Sequence, residues 1–320
     1  MRTEAGTYLA YLDVWQRHVT ALEDPDIAEP ALGGADTATR LKNVWQVKLV
    51  KVANAGEKVD GNAFRPPWQP GWEKAIGNGR MSAQVTTGLV QENQLYRVEI
   101  HAGGNPDQTT VKWSCDNGAV AARVSKIVGN TITLSSGGRE AQTSFPVNQW
   151  IELTHEERTL QGRPGILVQL ASVQGDDLGA VGSTWPNEFR NIDWTKPWPG
   201  DSATPHGIIA RRWDSKEINV AQADPILLDN IQVQFETGTD VVYKSGDFWL
   251  IPARQLTGTI EWPRDADGKP LWQPPQGIFH RYCGLALLEL DAGGQWTVIE
   301  DLRAIFQPLA DLPRQFYTSY

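Results

Sequence analysis

The chain has few of the residues that build metal, redox or nucleotide sites. Its 320 residues include two cysteines, Cys115 and Cys283, and five histidines. Two cysteines exclude a disulfide-scaffolded protein, and we expect both thiols to be buried as small apolar side chains. No Cys-x-x-Cys, His-x-x-x-His or phosphate-loop motif occurs. The sequence therefore predicts no metal site and no cofactor.

Long runs of charge of one sign and long apolar runs are also missing. The chain has 29 Lys and Arg against 38 Asp and Glu, a net charge of −9. An acidic chain without a basic run is not expected to bind nucleic acid or an anionic membrane surface. No apolar run approaches the roughly 18 residues of a membrane-spanning helix, and the first residues lack a signal-peptide core. We expect a protein that is cytoplasmic when made and does not insert into a membrane.

Glycine, proline and tryptophan are plentiful, with 30, 20 and 14 residues respectively. Gly and Pro interrupt the chain every few residues, which favours short strands joined by turns over long helices. Residues 7–15 are predicted to form an apolar and aromatic strand. Residues 43–52 alternate between Val44, Gln46, Lys48 and Trp45, Val47, Leu49, the pattern of a half-buried strand. The fold class predicted is all-β.

The spacing of the hairpins predicts how the domains are arranged. Residues 119–175 contain about five short strands with tight turns, which favours a small closed β-barrel. Residues 1–118 are assigned to the first part of a β-sandwich-like main domain. Residues 176–320 are assigned to a loop region and a second β part that packs on the first.

Catalytic signatures are weak throughout the sequence. Hydrolysis of a glycan needs two carboxyl groups in different protonation states, but the acidic pairs lie in turns, where carboxylates usually cap the backbone. No Gly-x-Ser-x-Gly nucleophile motif is present. We therefore predict no catalytic residue. The acidic pairs considered are Asp176 with Asp177, Glu156 with Glu157, and Asp265 with Asp267.

Two Pro-rich stretches carry tryptophans outside any strand pattern. Exposed indoles anchor protein interfaces or stack on sugar rings, whereas buried ones would form cores beneath the loops. All three interpretations stay open: a loop core, a protein interface or a glycan platform. The candidate binding residues are Trp68, Trp72, Trp185, Trp194 and Trp198.

A short run of charged and aromatic residues forms a further candidate, Arg211-Arg212-Trp213-Asp214. Two guanidinium groups could clamp an anion. The structural alternative, which we favour, pairs one arginine with Asp214 or stacks it on Trp213 and so organises a corner between sheets.

Several segments resemble an uncharacterised bacterial β-rich domain family, found in large proteins that are often encoded near phage-tail-like contractile injection systems. The similar segments are 6–15, 22–24, 31–37, 95–100, 111–114 and Gly246-Asp247-Phe248-Trp249-Leu250-Ile251-Pro252-Ala253-Arg254. The resemblance implies a structural or accessory role in a tail-like particle, released or cell-associated, and brings no catalytic residue with it.

The leading hypothesis is thus a non-enzymatic, oligomeric component of such a particle. Its partners would be other particle proteins or copies of itself. The alternative is a glycan-binding adhesin module that uses the Trp-rich loops, and a weaker alternative is a polysaccharide-active enzyme.

Overall fold

The computed structural model describes residues 4–33, 37–64, 77–86, 90, 92–135, 144–223 and 225–303. They form an all-β protein, which confirms the predicted fold class. The chain divides into two compact units. The first comprises residues 1–15, 44–75 and 280–320, and the second comprises residues 16–43 and 76–279.

Helices are few and short in the described part of the chain. The α-helix α1 covers Glu156–Leu160. Short 3₁₀ helices cover Pro25–Ile27, Pro30–Leu32, Gly61–Phe64, Gly182–Thr184 and Asn187–Phe189. None of the described helices is long and apolar enough to cross a lipid bilayer.

The first unit is built on a four-stranded sheet in the order β18-β17-β1-β2. The strands are β1 (Gly6–Val19), β2 (Arg40–Asn54), β17 (His280–Leu290) and β18 (Trp296–Asp301). Strand β1 pairs antiparallel with β17, from Gly6 opposite Leu290 to Trp15 opposite His280. Gly6 has a φ of 155°, and a Cβ atom there would lie 2.7 Å from the carbonyl oxygen of Ala53. Only glycine fits at this start of β1.

The second unit contains a β-sandwich. A five-stranded sheet has the order β12-β5-β4-β15-β16, and a three-stranded sheet has the order β13-β14-β3. Their apolar side chains form one shared core that includes Val98, Ile231 and Trp249. The strands are β3 (Met81–Val85), β4 (Gln94–Ala102), β5 (Thr110–Ser114), β12 (Ile218–Asn219), β13 (Ile226–Leu228), β14 (Ile231–Phe235), β15 (Phe248–Arg254) and β16 (Thr259–Ile260).

The second unit also contains a closed six-stranded barrel in the order β10-β7-β6-β11-β8-β9, in which β9 also pairs with β10. Closure leaves no free sheet edge. Its strands are β6 (Ala121–Val128), β7 (Thr131–Leu134), β8 (Trp150–Thr154), β9 (Ile166–Gln174), β10 (Asp177–Ala180) and β11 (Ile209–Trp213).

The predicted barrel is present, but its boundary at residue 175 is too early. Strand β10 follows that boundary, and β11 joins the barrel only after the Trp-rich loop. Because β11 lies between β6 and β8, the barrel cannot close without it. The flanking assignments, 1–118 and 176–320, also interleave: β4 from the first part pairs with β15 from the last.

The sandwich core gives a direct test of the packing. Trp249 is fully buried in β15, and its indole N–H donates to the carbonyl oxygen of Gln273 at 3.0 Å. Replacing Trp249 by Ala removes one of the two tryptophans buried in this core and leaves a cavity. We expect Trp249→Ala to lower the free energy of unfolding by about 3–5 kcal/mol, measured by urea denaturation.

The control for this variant is Leu256→Ala, because Leu256 is an almost fully exposed apolar residue in a turn. Its effect should stay within about 0.5 kcal/mol. Equal losses in the two variants would contradict the core described above.

Candidate functional site

Two of the three candidate binding tryptophans that the structure describes are buried. Trp185 and Trp198 are 2% and 1% exposed and belong to the barrel core. Trp194 is half-buried, with its ring centroid 5.0 Å from that of Trp185 and 5.7 Å from that of Trp198. A binding role for Trp185 and Trp198 is therefore corrected: the loop folds back and these rings form its core. Trp68 and Trp72 lie outside the described residues.

The Arg211-Arg212-Trp213-Asp214 run lies where the barrel meets the five-stranded sheet. The Asp214 backbone N–H donates to the Trp113 carbonyl at 2.9 Å, and its carboxylate accepts from the Cys115 backbone N–H at 2.7 Å. Neither arginine is paired with Asp214 in the way predicted. Arg212 pairs with the Asp116 carboxylate, and Arg211 donates to the Gly118 carbonyl. The guanidinium groups of both arginines are thus bound by residues of the turn that precedes the barrel.

The acidic pairs considered as catalytic groups serve local structure. Glu157 accepts from the Ser202 hydroxyl at 2.6 Å and from the Ser202 backbone N–H, which lowers the pKa of its carboxyl to about 2. Glu156 pairs with Arg17 and Lys42. Asp265 accepts from the backbone N–H groups of its own turn. Within the described ranges, no group of three or more His, Cys, Asp or Glu residues could hold a metal ion.

The expectation of two buried thiols is wrong for Cys283, which is exposed on β17. Cys115 is half-buried, and burial followed by the nearby Asp214 carboxylate raises the pKa of its thiol to about 12. Both thiols are free. A thiol with so high a pKa is a poor nucleophile at neutral pH.

Strand β2 exposes the side chains that its sequence pattern would normally bury. Trp45, Val47 and Leu49 are 69%, 60% and 48% exposed. Their alternating neighbours Gln46 and Lys48 are half-buried. An antiparallel sheet with one covered face usually turns its apolar side chains inward, so β2 is inverted from Trp45 to Leu49, although Val44 is buried. The alternating pattern predicts the strand but does not predict this orientation.

An ionic cluster on the other face of the sheet explains the inversion. The Lys48 ammonium lies 2.7 Å from the buried carboxylate of Asp13, which also bonds the His280 imidazole at 2.5 Å. The Lys48 ammonium also lies 5.0 Å from the centre of the Trp15 ring. A buried carboxylate requires such a partner. Since alternate residues point to opposite faces, Lys48 can reach Asp13 only if Trp45, Val47 and Leu49 face outward.

The same outward face continues onto the neighbouring strand. Asp13 lies on the covered face of β1, so Leu12 and Val14 lie on the face shared with Trp45, Val47 and Leu49. Both are half-buried. We name these five residues the apolar sheet surface. Contiguous exposed apolar surface of this kind marks interaction sites in soluble proteins.

A second buried ionic cluster joins the barrel to the sandwich. The Lys112 ammonium on β5 lies 2.5 Å from Glu152 of β8 and 3.1 Å from Glu99 of β4. Arg97 extends this row of alternating charges and contacts the Glu99 carboxylate at 2.6 Å. The other Glu152 oxygen accepts from the indole N–H of Trp213, at 3.0 Å, on β11. The barrel and the five-stranded sheet are thus linked by charge-assisted hydrogen bonds.

Electrostatics keep these buried carboxylates ionised. Burial opposes the charge on Glu152, but Lys112 and His101 together outweigh burial and hold its pKa well below the usual range. Burial likewise opposes the charge on Glu99, and Lys112 and Arg97 lower its pKa. The negative charge of Glu99 reaches Asp247, which immediately precedes β15. Burial and Glu99 raise the pKa of the Asp247 carboxyl to about 7, against the opposing effect of Lys244.

The Lys112–Glu152 ion pair should be required for stability, because either charge would be costly to bury without the other. In Lys112→Met, Glu152 becomes a buried carboxylate without its cation. We expect the free energy of unfolding to fall by about 3–5 kcal/mol, measured by urea denaturation at neutral pH.

The control is the double variant Lys112→Met/Glu152→Gln, in which the uncompensated charge is absent and the Trp213 indole keeps an acceptor. The double variant should be more stable than Lys112→Met, with a coupling energy of about 1–3 kcal/mol. Additive losses would contradict a direct ion pair.

The raised pKa of Asp247 makes the stability of the protein fall as the pH rises. Its raised pKa adds stability that is fully present below the unfolded pKa of about 4 and is lost as pH rises to about 7. Asn cannot ionise, so Asp247→Asn abolishes this loss. Relative to the unchanged protein, the variant should gain unfolding free energy between about pH 5 and pH 8.

Urea denaturation at the two pH values measures this difference. Asp267→Asn, at an exposed acid in a turn, is the control and should keep the pH dependence of the unchanged protein. A pH dependence that is unaltered in Asp247→Asn would show that Asp247 titrates normally.

Comparison with known proteins identifies the family. A family model described as "Family of unknown function (DUF6519)" matches residues 1–63 and 87–296. The matched ranges include the apolar sheet surface and the Lys112–Glu152 cluster. No curated protein and no solved structure matches the chain significantly. Because the matched ranges span most of its 320 residues, the chain belongs to DUF6519, a family of unknown function.

Proposed function

We propose that the protein is a non-enzymatic structural component that binds other proteins through the apolar sheet surface. The observation that carries the proposal is the inversion of β2, which leaves Trp45, Val47 and Leu49 facing solvent. Exposed aromatic and aliphatic side chains lose unfavourable hydration when a partner covers them. Tryptophan is also enriched among the residues that dominate binding energy at protein interfaces.

The covered face of the sheet supports a preorganised interface. Lys48 is held by Asp13, and Asp13 is held by His280, so the orientation of β2 is set from the opposite face. Residues on a strand fixed in this way lose little further freedom on binding. Preorganisation reduces the entropic cost of association. A rigid apolar face is therefore suited to a permanent contact between the subunits of an assembly.

The chemistry of the surface favours a protein as the ligand. Aliphatic Leu12, Val14, Val47 and Leu49 offer no hydrogen bonds to sugar hydroxyls or bases. Apolar side chains around one indole match the core of a protein interface, which is depleted of charge. Glu156, Glu157 and Asp265, which were considered for catalysis, are engaged in ion pairs or hydrogen bonds, and this supports a non-enzymatic role.

The kind of assembly follows from the family resemblance. We propose a tail-like contractile injection particle, with other particle proteins or further copies of this chain as partners. Closed and paired strands give the rigidity that a particle component needs, since the barrel of the second unit has no free edge.

The test is loss of association when charge is placed on the apolar sheet surface. We expect the double variant Trp45→Glu/Val47→Lys to weaken binding to purified sheath, tube or baseplate proteins, or to itself, by roughly 30-fold or more. This corresponds to about 2 kcal/mol, the threshold for a dominant interface residue. Light scattering after size-exclusion chromatography measures self-association, and pull-down with titration measures the other contacts.

Leu256→Glu is the matched control, because it places charge on an exposed apolar residue outside this surface. It should bind as the unchanged protein does. The proposal is overturned if the unchanged protein is a monodisperse monomer that binds none of these proteins. It is equally overturned if the double variant, shown by circular dichroism to be folded, binds as tightly as the control.

A further inference from the structure

A cavity of about 350 Å³ lies where the barrel meets the outer face of the five-stranded sheet. Its lining comes from β4 of the sandwich, from β8 and β9 of the barrel, from α1, and from the loops before β11 and β12. A volume of this size is at the lower end of the range for small-molecule sites, which begins at about 300 Å³. All lining residues belong to the second unit.

The apolar part of the lining contains an indole suited to stacking. Trp150 lines the cavity and is half-buried, with Leu167 from the neighbouring strand beside it in the lining. Among the described residues, no aromatic ring packs against Trp150, in contrast to the clustered Trp185, Trp194 and Trp198 of the loop. The lining also contains Phe189, which is buried, so the half-buried Trp150 ring is the more accessible aromatic surface for a ligand.

The lining contains charged groups of both signs. Arg158 and Lys216 are positive, and Glu188 and Glu217 are negative. Arg158 is fixed by the buried Asp201 carboxylate, at 3.2 Å from its Nη1 atom. The lining does not favour an anion, because Asp201 already neutralises Arg158 and the two glutamates outnumber Lys216. It offers several donors and several acceptors to a neutral ligand.

His101 adds a polar group from the sandwich side. Its Nδ1 atom lies 3.4 Å from both the Lys112 ammonium and the Glu152 carboxylate, and the ring lines the cavity. No described residue bonds its Nε2 atom. A hydroxyl group both donates and accepts, so it can bond Nε2 in either tautomer of the imidazole.

We infer that this cavity binds a neutral saccharide unit. An indole face together with donors and acceptors of both signs matches a sugar ring, which has an apolar C–H face and an equatorial belt of hydroxyls. The alkyl chain of a fatty acid would offer no hydrogen-bond partner to the polar groups of the lining, and an anionic ligand would meet Glu188 and Glu217. The site is distinct from the loop tryptophans predicted from the sequence and from the apolar sheet surface.

The test is saturation-transfer-difference NMR with methyl glycosides of glucose, galactose, mannose, rhamnose and N-acetylglucosamine. Each is used at about 10 mM, high enough to detect millimolar affinity. We expect saturation transfer to at least one glycoside, and titration should give a dissociation constant. In the variants Trp150→Leu and Glu217→Ala the affinity should fall at least about fivefold, since each removes one lining contact.

Two controls separate this site from other surfaces. Trp272→Ala removes an exposed tryptophan outside the cavity, and Trp45→Glu alters the apolar sheet surface. Both should bind the glycoside as the unchanged protein does. If Trp150→Leu fails to fold, Glu217→Ala, at an exposed position, carries the test.

Three outcomes overturn the inference. The first is no saturation transfer to any of the five glycosides. The second is equal binding in the unchanged protein and in Glu217→Ala together with folded Trp150→Leu. The third is competition by glucuronate with higher affinity than every neutral glycoside, which would make the ligand an anion.

Discussion

The Lys112 ammonium holds the second unit together, because it lies between a carboxylate of the sandwich and a carboxylate of the barrel. Glu99 and Glu152 would each be costly to bury alone. With Lys112 between them, and with Arg97 and the Trp213 indole completing their hydrogen bonds, both remain charged. Hydrophobic packing fills each of the two cores separately. The join between them combines this charged cluster with the hydrogen bonds of Asp214 to Trp113 and Cys115, and the geometry of charge-assisted hydrogen bonds is specific.

The first unit uses the same device for a different end. Asp13 is buried beneath Lys48 and His280, and this polar arrangement occupies the face of the sheet where apolar side chains usually lie. Trp45, Val47 and Leu49 of β2 are turned to the outside as a result, whereas Val44 is buried. A buried ion pair is weak evidence for stability, whereas its role in fixing register is better supported. Here the pair determines which face of a strand is offered to solvent.

Sequence reasoning predicted the strands well because strand periodicity is a local property. The strand at 7–15 and the hairpins of the barrel both depend on residues close in sequence, and both are present. The orientation of β2 could not be predicted from the sequence, because the alternating pattern separates the two faces of a strand but does not indicate which face is covered. Asp13 and His280, which decide it, are 267 positions apart.

The candidate sites were harder to predict for a related reason. Arg97, Glu99 and His101 alternate with apolar residues on β4, a pattern typical of a solvent-facing edge, yet His101 is buried against Glu152 of the barrel, and Arg97 and Glu99 are half-buried. The burial of Trp185 and Trp198 depends on a loop that returns to the barrel before β11, which no local signal indicates. The resemblance rests in part on segments 95–100 and 111–114, but it did not reveal that Glu99 and Lys112 in them form an ion pair.

The position of the barrel in the chain has an evolutionary consequence. The chain leaves the five-stranded sheet after β5 and re-enters it at β12, which pairs with β5, so the two ends of the excursion are neighbours. A short turn between them would preserve every strand pairing of the sandwich. The outer face of β4 would then meet water with an already polar set of side chains. The barrel is thus an insertion into the sandwich, and another domain could replace it in evolution without changing the strand pairings of the five-stranded sheet.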